Sequence, residues 1–306
     1  MHAEVSVIIV SWNTRDILLD CLRSLYDQTM TTIEVIVVDN DSSDGSADAV
    51  ERAFPMVRLV RSDENLGFAK ANNRGVAEAS GNYILYLNPD TVILNGAVDA
   101  MVHWMKKHPH VGVLGPHTFD ADGTTTQHTV KMSPSLRRMF HTHVPIWRLV
   151  PGWHPELAGE TACYRTGPVE VVKGCCMLMP ASLVHDLGGM SEKHFMYSEE
   201  DDLCRRAAER GFGTWYLHEA SIIHLGGEAT KQNSAAMVTA QVEAWTDVFR
   251  QYNPDSSVAV FKILLGFGSL WRWLAWAPLS LVPTKCELAR QRMREHVATL
   301  KALILS

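Results

Sequence analysis

The chain has 306 residues, 46% of them hydrophobic and 20% charged, with a formal net charge of −6. That length buries a core as one large α/β domain or two small ones, and the composition excludes a disordered, collagen-like or disulfide-stapled chain. The charge is uneven: from Arg250 to Ser306 eight Lys and Arg face three Asp and Glu, so a tail of about +5 follows a body of about −11, which argues against a nucleic-acid binder as a whole.

The first 115 residues alternate β-branched runs with amphipathic stretches. Val5–Val10 reads as a buried strand, and 15–28 as a helix with Leu18, Cys21, Leu22 and Leu25 on one face. Ile33–Val38 is a second strand, Ser43-Asp44-Gly45 leads into another helix, and 57–61, a helix near 68–79, 83–87 and 111–114 complete the pattern. Repeated strand–helix–strand units predict a Rossmann-like, mostly parallel sheet with helices on both faces. Residues 116–167 mix His, Pro, Thr and Gly and read as long loops shaping an acceptor site. A strand at 169–180, a helix near 199–210, a strand pair near 215–224 and a helix near 235–252 follow. The division expected is 1–230, split near 115 into a nucleotide half and an acceptor half, then a helical extension over 231–306.

Ligands of such sheets sit at the carboxyl ends of the strands. No Gly-x-Gly-x-x-Gly turn stands there. Ser11-Trp12-Asn13-Thr14 follows the first strand and Asp39-Asn40-Asp41-Ser42-Ser43-Asp44-Gly45 the second. Such Asp and Asn side chains accept hydrogen bonds from a nucleobase imide or ribose hydroxyl, or they cap helices. Asn88-Pro89-Asp90 after the fourth strand either holds a hard divalent cation or makes a turn whose Asp caps the next helix. Glu199-Glu200-Asp201-Asp202 suits a helix N-terminus, with Asp202 pairing Arg205 or Arg206. Alternatively one of these acids is a general base; Glu200 shares a helix face with Leu203 and Ala207. His224, before Leu225-Gly226-Gly227, is a core or loop residue or a metal or phosphate ligand. The other thirteen histidines lack zinc spacing.

In this order these segments resemble the family 2 glycosyltransferases, inverting nucleotide-sugar enzymes of GT-A fold, and most of all their rhamnosyltransferase-like branch that builds cell-wall or surface polysaccharide. The resemblance runs from Val5 to Gly227 and is carried by Val5–Asn13, Val37–Gly45, Asn65–Gly75, Leu87–Asp90 and Phe195–Cys204. It implies a nucleotide pocket lined by Ser11 and Asn13, with Asp39 on the base and Asp41 nearby. The segment holding Asn65, Gly67, Lys70 and Asn73 would close over ribose and diphosphate. Asp90, beside Asn88, and His224 would hold Mg²⁺ or Mn²⁺. Glu200 would be the base, with Gly174, Glu199 and Asp202 on the acceptor side. The implied partners are a nucleoside-diphosphate sugar and a glycan or polyprenyl-diphosphate-linked acceptor. Three positions depart from the family pattern: Asn88 for the first acid of Asp-x-Asp, Glu200 for Asp, and Gly188-Gly189-Met190-Ser191 for Gly-Gly-Phe-Asp.

Competing readings are a non-catalytic nucleotide-sugar sensor, which Asn88 keeps open, and a nucleotidyltransferase. The second wants a Gly-rich, basic loop after the first strand, which Ser11–Thr14 does not offer. In the tail, 258–283 holds 18 apolar residues of 26, interrupted by Lys262, Arg272 and Pro278, with Trp271, Trp273 and Trp276 toward its end. It reads as an interfacial segment on an anionic membrane surface, against a core helix or a spanning one. Cys21, Cys163, Cys175, Cys176, Cys204 and Cys286 form no Cys-x-x-Cys pair and read as reduced thiols. Met1–Glu4 run straight into a strand with no signal-peptide pattern. The expected location is the cytoplasm, peripheral at the inner face of the plasma membrane.

Overall fold

The structure, a computed structural model, describes residues 2–127, 129–131, 135–144, 165–193, 195–226 and 234–305. They fall into two compact units. One takes in Met1–Ser133, Ala158–Phe195 and Glu199–Ala229, the other Pro134–Leu157, Met196–Ser198 and Thr230–Ser306. Cys163 and Gly227 lie outside the described residues.

The first unit is built on β1 (Val5–Ser11), β2 (Ile33–Asp39), β3 (Arg58–Arg61), β4 (Tyr83–Leu87), β5 (Thr91–Leu94), β6 (Val111–Phe119), β8 (Gly167–Val169), β10 (Cys176–Pro180) and β11 (Gly213–His224). They make one sheet in the order β3-β2-β1-β4-β10-β6-β11-β5, with β8 beside β11. A two-stranded ribbon joins β7 (Val130–Lys131) to β9 (Val171–Val172). The strands alternate strictly. Val5, Val7 and Ile9 enter one core while Ile8 enters the other, as do Leu85 and Leu87 against Ile84 and Tyr86. Such period-2 burial on both faces needs helices on both sides. Helices α1 (Arg15–Gln28), α2 (Ser46–Ala53) and α4 (Ala97–Lys107) cover the first face, and α3 (Phe68–Val76), α6 (Ala181–Leu187) and α7 (Glu199–Glu209) the second. Leu18, Cys21, Leu22 and Leu25, the stripe expected on α1, are all fully buried.

The α/β class is as expected, but the sheet is mixed. β1–β4 pair in parallel, whereas β10 runs antiparallel between β4 and β6, and β5 and β8 run antiparallel to β11. The strand expected at 169–180 is three pieces, broken at Glu170 and at Lys173-Gly174-Cys175 so that Cys175 reaches the sheet edge. The expected pair at 215–224 is one twelve-residue strand, β11, with a register slip between Leu217 and Ser221. A bulge absorbs the irregularity without reversing the chain, so β11 stays parallel to β6 on both sides of it. The short β5 and the helix α4 were not anticipated.

In the second unit, α5 (Leu136–His143), α8 (Ser234–Tyr252), α9 (Asp255–Trp276) and α10 (Cys286–Leu305) enclose a core of Met139, Val242, Phe249, Val258, Phe261, Leu265 and Ala302. Helix α5 falls in the stretch expected to be loop, and it packs here through His143. That imidazole is buried, its Nδ1 lies 3.0 Å from an Arg272 guanidinium nitrogen, and its carbonyl accepts the Trp271 indole N–H at 2.8 Å. Burial above all, with Arg272 and His296 nearby, lowers the His143 pKa to about 4. The segment Asp255–Leu281 is long and apolar enough to cross a membrane by length and composition, yet one face of it lies in this core.

Candidate active site

β10 is antiparallel to β4 and to β6, so β6 and β11 run in the same direction as β1, β2 and β4. Their carboxyl ends therefore share one edge. To that edge the fold brings Ser11, Asp39, Asn88, Asp90 and His224, and the turn into β10 adds Gly174 and Cys175.

On the nucleotide side the loops after β1 and β2 are stitched together. Asn13, in the left-handed region at φ 52°, accepts the Ser43 amide at 2.8 Å on its side-chain oxygen and donates its own N–H to the Ser42 hydroxyl oxygen at 3.0 Å. Asp44 does the capping work, accepting from the Ser46 amide and hydroxyl and the Arg15 amide. Burial alone would raise its carboxyl, and these hydrogen bonds hold it below its ordinary value. Asp39 is different. It is buried, its Oδ2 receives the Ser42 amide at 3.3 Å, and its Oδ1 has no hydrogen-bond partner among the described residues. A buried carboxylate oxygen left bare costs free energy unless a ligand donates to it. Ser11 is fully buried with its hydroxyl shared with Thr14 at 3.0 Å, so it supports the loop from behind. Asp41 is exposed at φ 67°.

Asn40, which the sequence did not single out for a role, is the clamp of the 65–67 loop. Its amide donates to Asn65 Oδ1 at 2.9 Å and to the Gly67 carbonyl at 3.2 Å, and its oxygen accepts the Leu66 N–H at 2.8 Å. Asn65 Oδ1 also takes the Gly67 N–H at 3.0 Å, so that oxygen braces the loop. Gly67 sits at φ +78°, and a Cβ there would lie 2.2 Å from the Phe195 carbonyl oxygen, which accepts the Phe68 N–H at 2.9 Å. Only glycine satisfies both demands. Lys70 is exposed on α3. Asn73 is engaged elsewhere: it exchanges two hydrogen bonds with the Met190 backbone, both at 2.8 Å, and donates to Glu192.

Asp90 precedes a strand and so caps no helix. Its Oδ1 lies 3.3 Å from His224 Nε2, joining residues 134 positions apart through the β5–β11 pairing, in which Thr91 faces His224. Gln127, another residue the sequence did not flag, decides which ring nitrogen carries the proton. Its amide nitrogen donates to Asp120 Oδ1 at 2.8 Å, which turns its oxygen toward His224 Nδ1, also at 2.8 Å. A carboxylate only accepts, so the chain of bonds assigns the proton to Nδ1. In the neutral ring that turns an Nε2 lone pair toward Asp90, and Nε2 has no hydrogen-bond partner among the described residues. Two facing lone pairs are stable only with a proton or cation between them, and metal-ligating histidines are oriented by such a second hydrogen bond. The buried Asn88 Oδ1 is likewise without a partner among the described residues. Nitrogen and oxygen donors of this kind fit a divalent cation completed by phosphate and water oxygens. Among the described residues no group of three or more His, Cys, Asp or Glu is placed to hold a metal by itself.

Glu200 is buried on the inner face of α7, one turn from the fully buried Leu203 and two from the fully buried Ala207. Gly174 lies beside Glu200: a Cβ there would stand 3.9 Å from the glutamate Cβ and 3.7 Å from the Phe68 ring, in ordinary van der Waals contact with both. Burial pushes the Cys175 thiol up to about 12, with Asp90 and Glu200 both adding to the rise. The Cys175 carbonyl accepts the Asn88 N–H at 2.9 Å, which ties the turn beside Glu200 to the end of β4. Asp202 is bound to Arg206 at 2.6 Å, and that guanidinium also donates to the Leu187 and Gly189 carbonyls. Glu199, also buried, opens α7, and Tyr197 and Ser198 just ahead of it are both left-handed, at φ 80° and 66°. Each costs roughly 1–2 kcal/mol in a residue with a Cβ. Cys21 and Cys204 are also raised by burial to about 12, and with Cys175 and Cys176 they are unreactive buried thiols.

A mixed central sheet with polar groups gathered at one carboxyl edge, covered by helices on both faces, is the architecture of a glycosyltransferase of the GT-A type. Residues 6–176 match the model described as Glycosyl transferase family 2, and the chain belongs to that family. It is 29% identical over 252 residues to the N-acetylglucosaminyl-diphospho-decaprenol L-rhamnosyltransferase of Mycobacterium tuberculosis, covering 78% of this chain and 82% of the relative. It is 23% identical to the low-salt glycan biosynthesis hexosyltransferase Agl10 of Haloferax volcanii, covering 73% and 68%. In fold it is similar to the mannosyltransferase PcManGT of Pyrobaculum calidifontis in complex with GDP-Man and Mn²⁺, with TM-score 0.60 at 16% identity over 99% of this chain and 87% of that one. Residues 1–349 of S. aureus TarS in complex with UDP give TM-score 0.52 at 15% identity, over 99% and 91%.

Proposed function

We propose that this glycosyltransferase moves a sugar, with inversion, from a nucleoside-diphosphate sugar to a hydroxyl of a lipid-linked glycan in cell-wall or surface polysaccharide synthesis. Rhamnose is the sugar favoured, following the name of the mycobacterial relative, and a polyprenyl-diphosphate glycan the acceptor. Such an acceptor places the work at the cytoplasmic face of the plasma membrane, with the C-terminal unit on the lipid surface. The observation that carries the reading is the meeting of Asp90 with His224 Nε2, which has no hydrogen-bond partner among the described residues, with the buried Glu200 beside Gly174 on the turn into β10.

Asp39 Oδ1 accepts a hydrogen bond from the nucleobase, and Asn40 holds the 65–67 loop in its shape over the donor. Glu200 takes the proton of the acceptor hydroxyl as its oxygen attacks the anomeric carbon. The new C–O bond forms opposite the breaking one, whose electron pair leaves with the nucleoside diphosphate, and the configuration inverts. Asp90 and His224, with the Asn88 amide oxygen, would hold Mg²⁺ or Mn²⁺, which when bound neutralises charge on the departing diphosphate.

A thermal-shift screen of nucleotide sugars with either cation tests the donor, because a ligand that binds the folded state raises its melting temperature. A single preferred donor that is then turned over supports the reading. Donor binding without transfer or hydrolysis favours the sensor, and no stabilisation by any nucleotide sugar removes the proposal.

A further inference from the structure

The second unit contains a groove that the transfer chemistry does not use. Its volume is about 750 Å³, and Trp273 of α9 with Met293 and Val297 of α10 supply apolar wall. Arg290, Arg294 and Lys301 also line it. At positions i, i+4 and i+11 they share one face of α10 with Val297, within about 17 Å along the axis. All three are exposed, and none is ion-paired among the described residues, whereas the neighbouring Arg292 is held by Glu295 at 3.1 Å. Among the described residues no acid lines the groove. Three like charges over an apolar floor repel one another, and no described residue of the lining offsets them. The complement is an anion that carries hydrocarbon.

A second observation says where that anion comes from. Val260, Ile263, Phe267, Leu270 and Leu274 are exposed large apolar residues on α9. Their spacing of three and four puts them on one stripe, about 21 Å long, opposite the buried Val258, Phe261 and Leu265. The helix is thus apolar on two opposite sides, one in the core and one outside. A contiguous exposed stripe of this kind marks an interaction site, and Trp273, on the flank of the same helix, belongs to the groove. A Trp and basic residues beside an apolar stripe suit the boundary between headgroups and acyl chains.

We infer that the groove binds the phosphate headgroup of an anionic phospholipid, with Trp273, Met293 and Val297 against the adjoining glycerol and first acyl carbons, while the α9 stripe enters the acyl region. This gives the membrane surface proposed above a defined lipid site. It is independent of the transfer chemistry, and either can fail alone.

The test is sedimentation of the full chain with phosphatidylcholine vesicles, with and without phosphatidylglycerol, at low and high salt. The native chain is expected to bind only the phosphatidylglycerol vesicles, more weakly as salt rises. The triple variant Arg290→Gln, Arg294→Gln, Lys301→Gln should bind about a hundredfold more weakly. A control removing the same charge outside the groove, Arg250→Gln, Lys285→Gln, Arg292→Gln, should stay within about threefold of native, since headgroup contact falls off with distance from the lipid. Equal loss in both triples means diffuse attraction and overturns the site. So does unchanged binding by the first triple, or release of the native chain from vesicles by free glycerol 3-phosphate. Unaltered circular dichroism and melting establish that the variants fold, and the single Arg294→Glu serves if the triple does not. Donor-induced thermal shift should be identical in native and triple variant, which keeps this result apart from the transfer reading.

Discussion

The two units treat unsatisfied groups in opposite ways. In the first, loops and strand ends are tied to one another, and among the described residues the buried polar atoms left without a hydrogen-bond partner include Asp39 Oδ1, Asn88 Oδ1 and His224 Nε2 at the carboxyl edge. Each is buried and fixed in direction, so recognition there is atom by atom. In the second unit what is left over is an area, an apolar stripe on α9 and a groove lined by cations of α10 that form no ion pair among the described residues. Single bare atoms suit a small, polar, repeatedly exchanged ligand, and an uncovered area suits a surface.

That contrast can be broken, and the largest effect is expected at Glu200. Glu200→Gln should lower transfer about a thousandfold while leaving donor-induced thermal shift unchanged; near-native turnover would remove Glu200 as the base. Next is Gln127→Leu, which deletes the group that fixes the His224 proton on Nδ1. Cation affinity in the presence of nucleoside diphosphate, followed by Mn²⁺ resonance, should fall about 10–100-fold, and unchanged affinity would show that the tautomer needs no such support. Asn40→Leu frees the 65–67 loop from three hydrogen bonds. We expect KM for the donor to rise about tenfold with kcat less affected, and a loss confined to kcat would contradict a role in holding the donor loop.

The smallest effect sharpens the comparison from the other side. His143 has a folded-state pKa lowered by burial to about 4. Its neutral form therefore contributes stability above the unfolded value near 6.5, and that contribution is lost as pH falls through 4. On the order of 1–2 kcal/mol should disappear over that window. The difference in unfolding free energy between native and His143→Asn, measured from pH 7 to pH 4, should narrow accordingly. A constant difference would mean that His143 is not held neutral. Donor-induced stabilisation should not follow this titration.

Much of the first unit was legible because its signals are periodic or local. The α1 stripe, the period-2 strands and the Asp and Asn residues at strand ends follow from side-chain direction alone, and Asp90 and His224 are brought together by β5 and β11. Partners that belong to no period were not legible. Gln127 matters because a loop returns it to the end of β11, and Asn40 because a second loop folds over it. Asn73, given to the donor loop by resemblance, bonds the distant Met190 backbone, whereas the Asp202–Arg206 pair is the one its i,i+4 spacing predicts. The antiparallel insertion of β10 was hidden for the same reason, since strand direction depends on the connection and not on the run of apolar residues. In the tail, composition gave the apolar helix but not that it is apolar on two opposite sides.

The contact at Gly67 inverts the usual relation between touching and being irreplaceable. Phe195 makes the approach, nearest with its backbone oxygen and next with ring carbon Cδ2, which would lie 2.9 Å from a Cβ at position 67, and the residue is 46% exposed. Any residue at position 195 brings the same backbone oxygen and so keeps the nearest of these contacts. Position 67, which offers no side chain at all, admits no substitute. Along a lineage of such enzymes, the blank position is the one on which selection has no latitude.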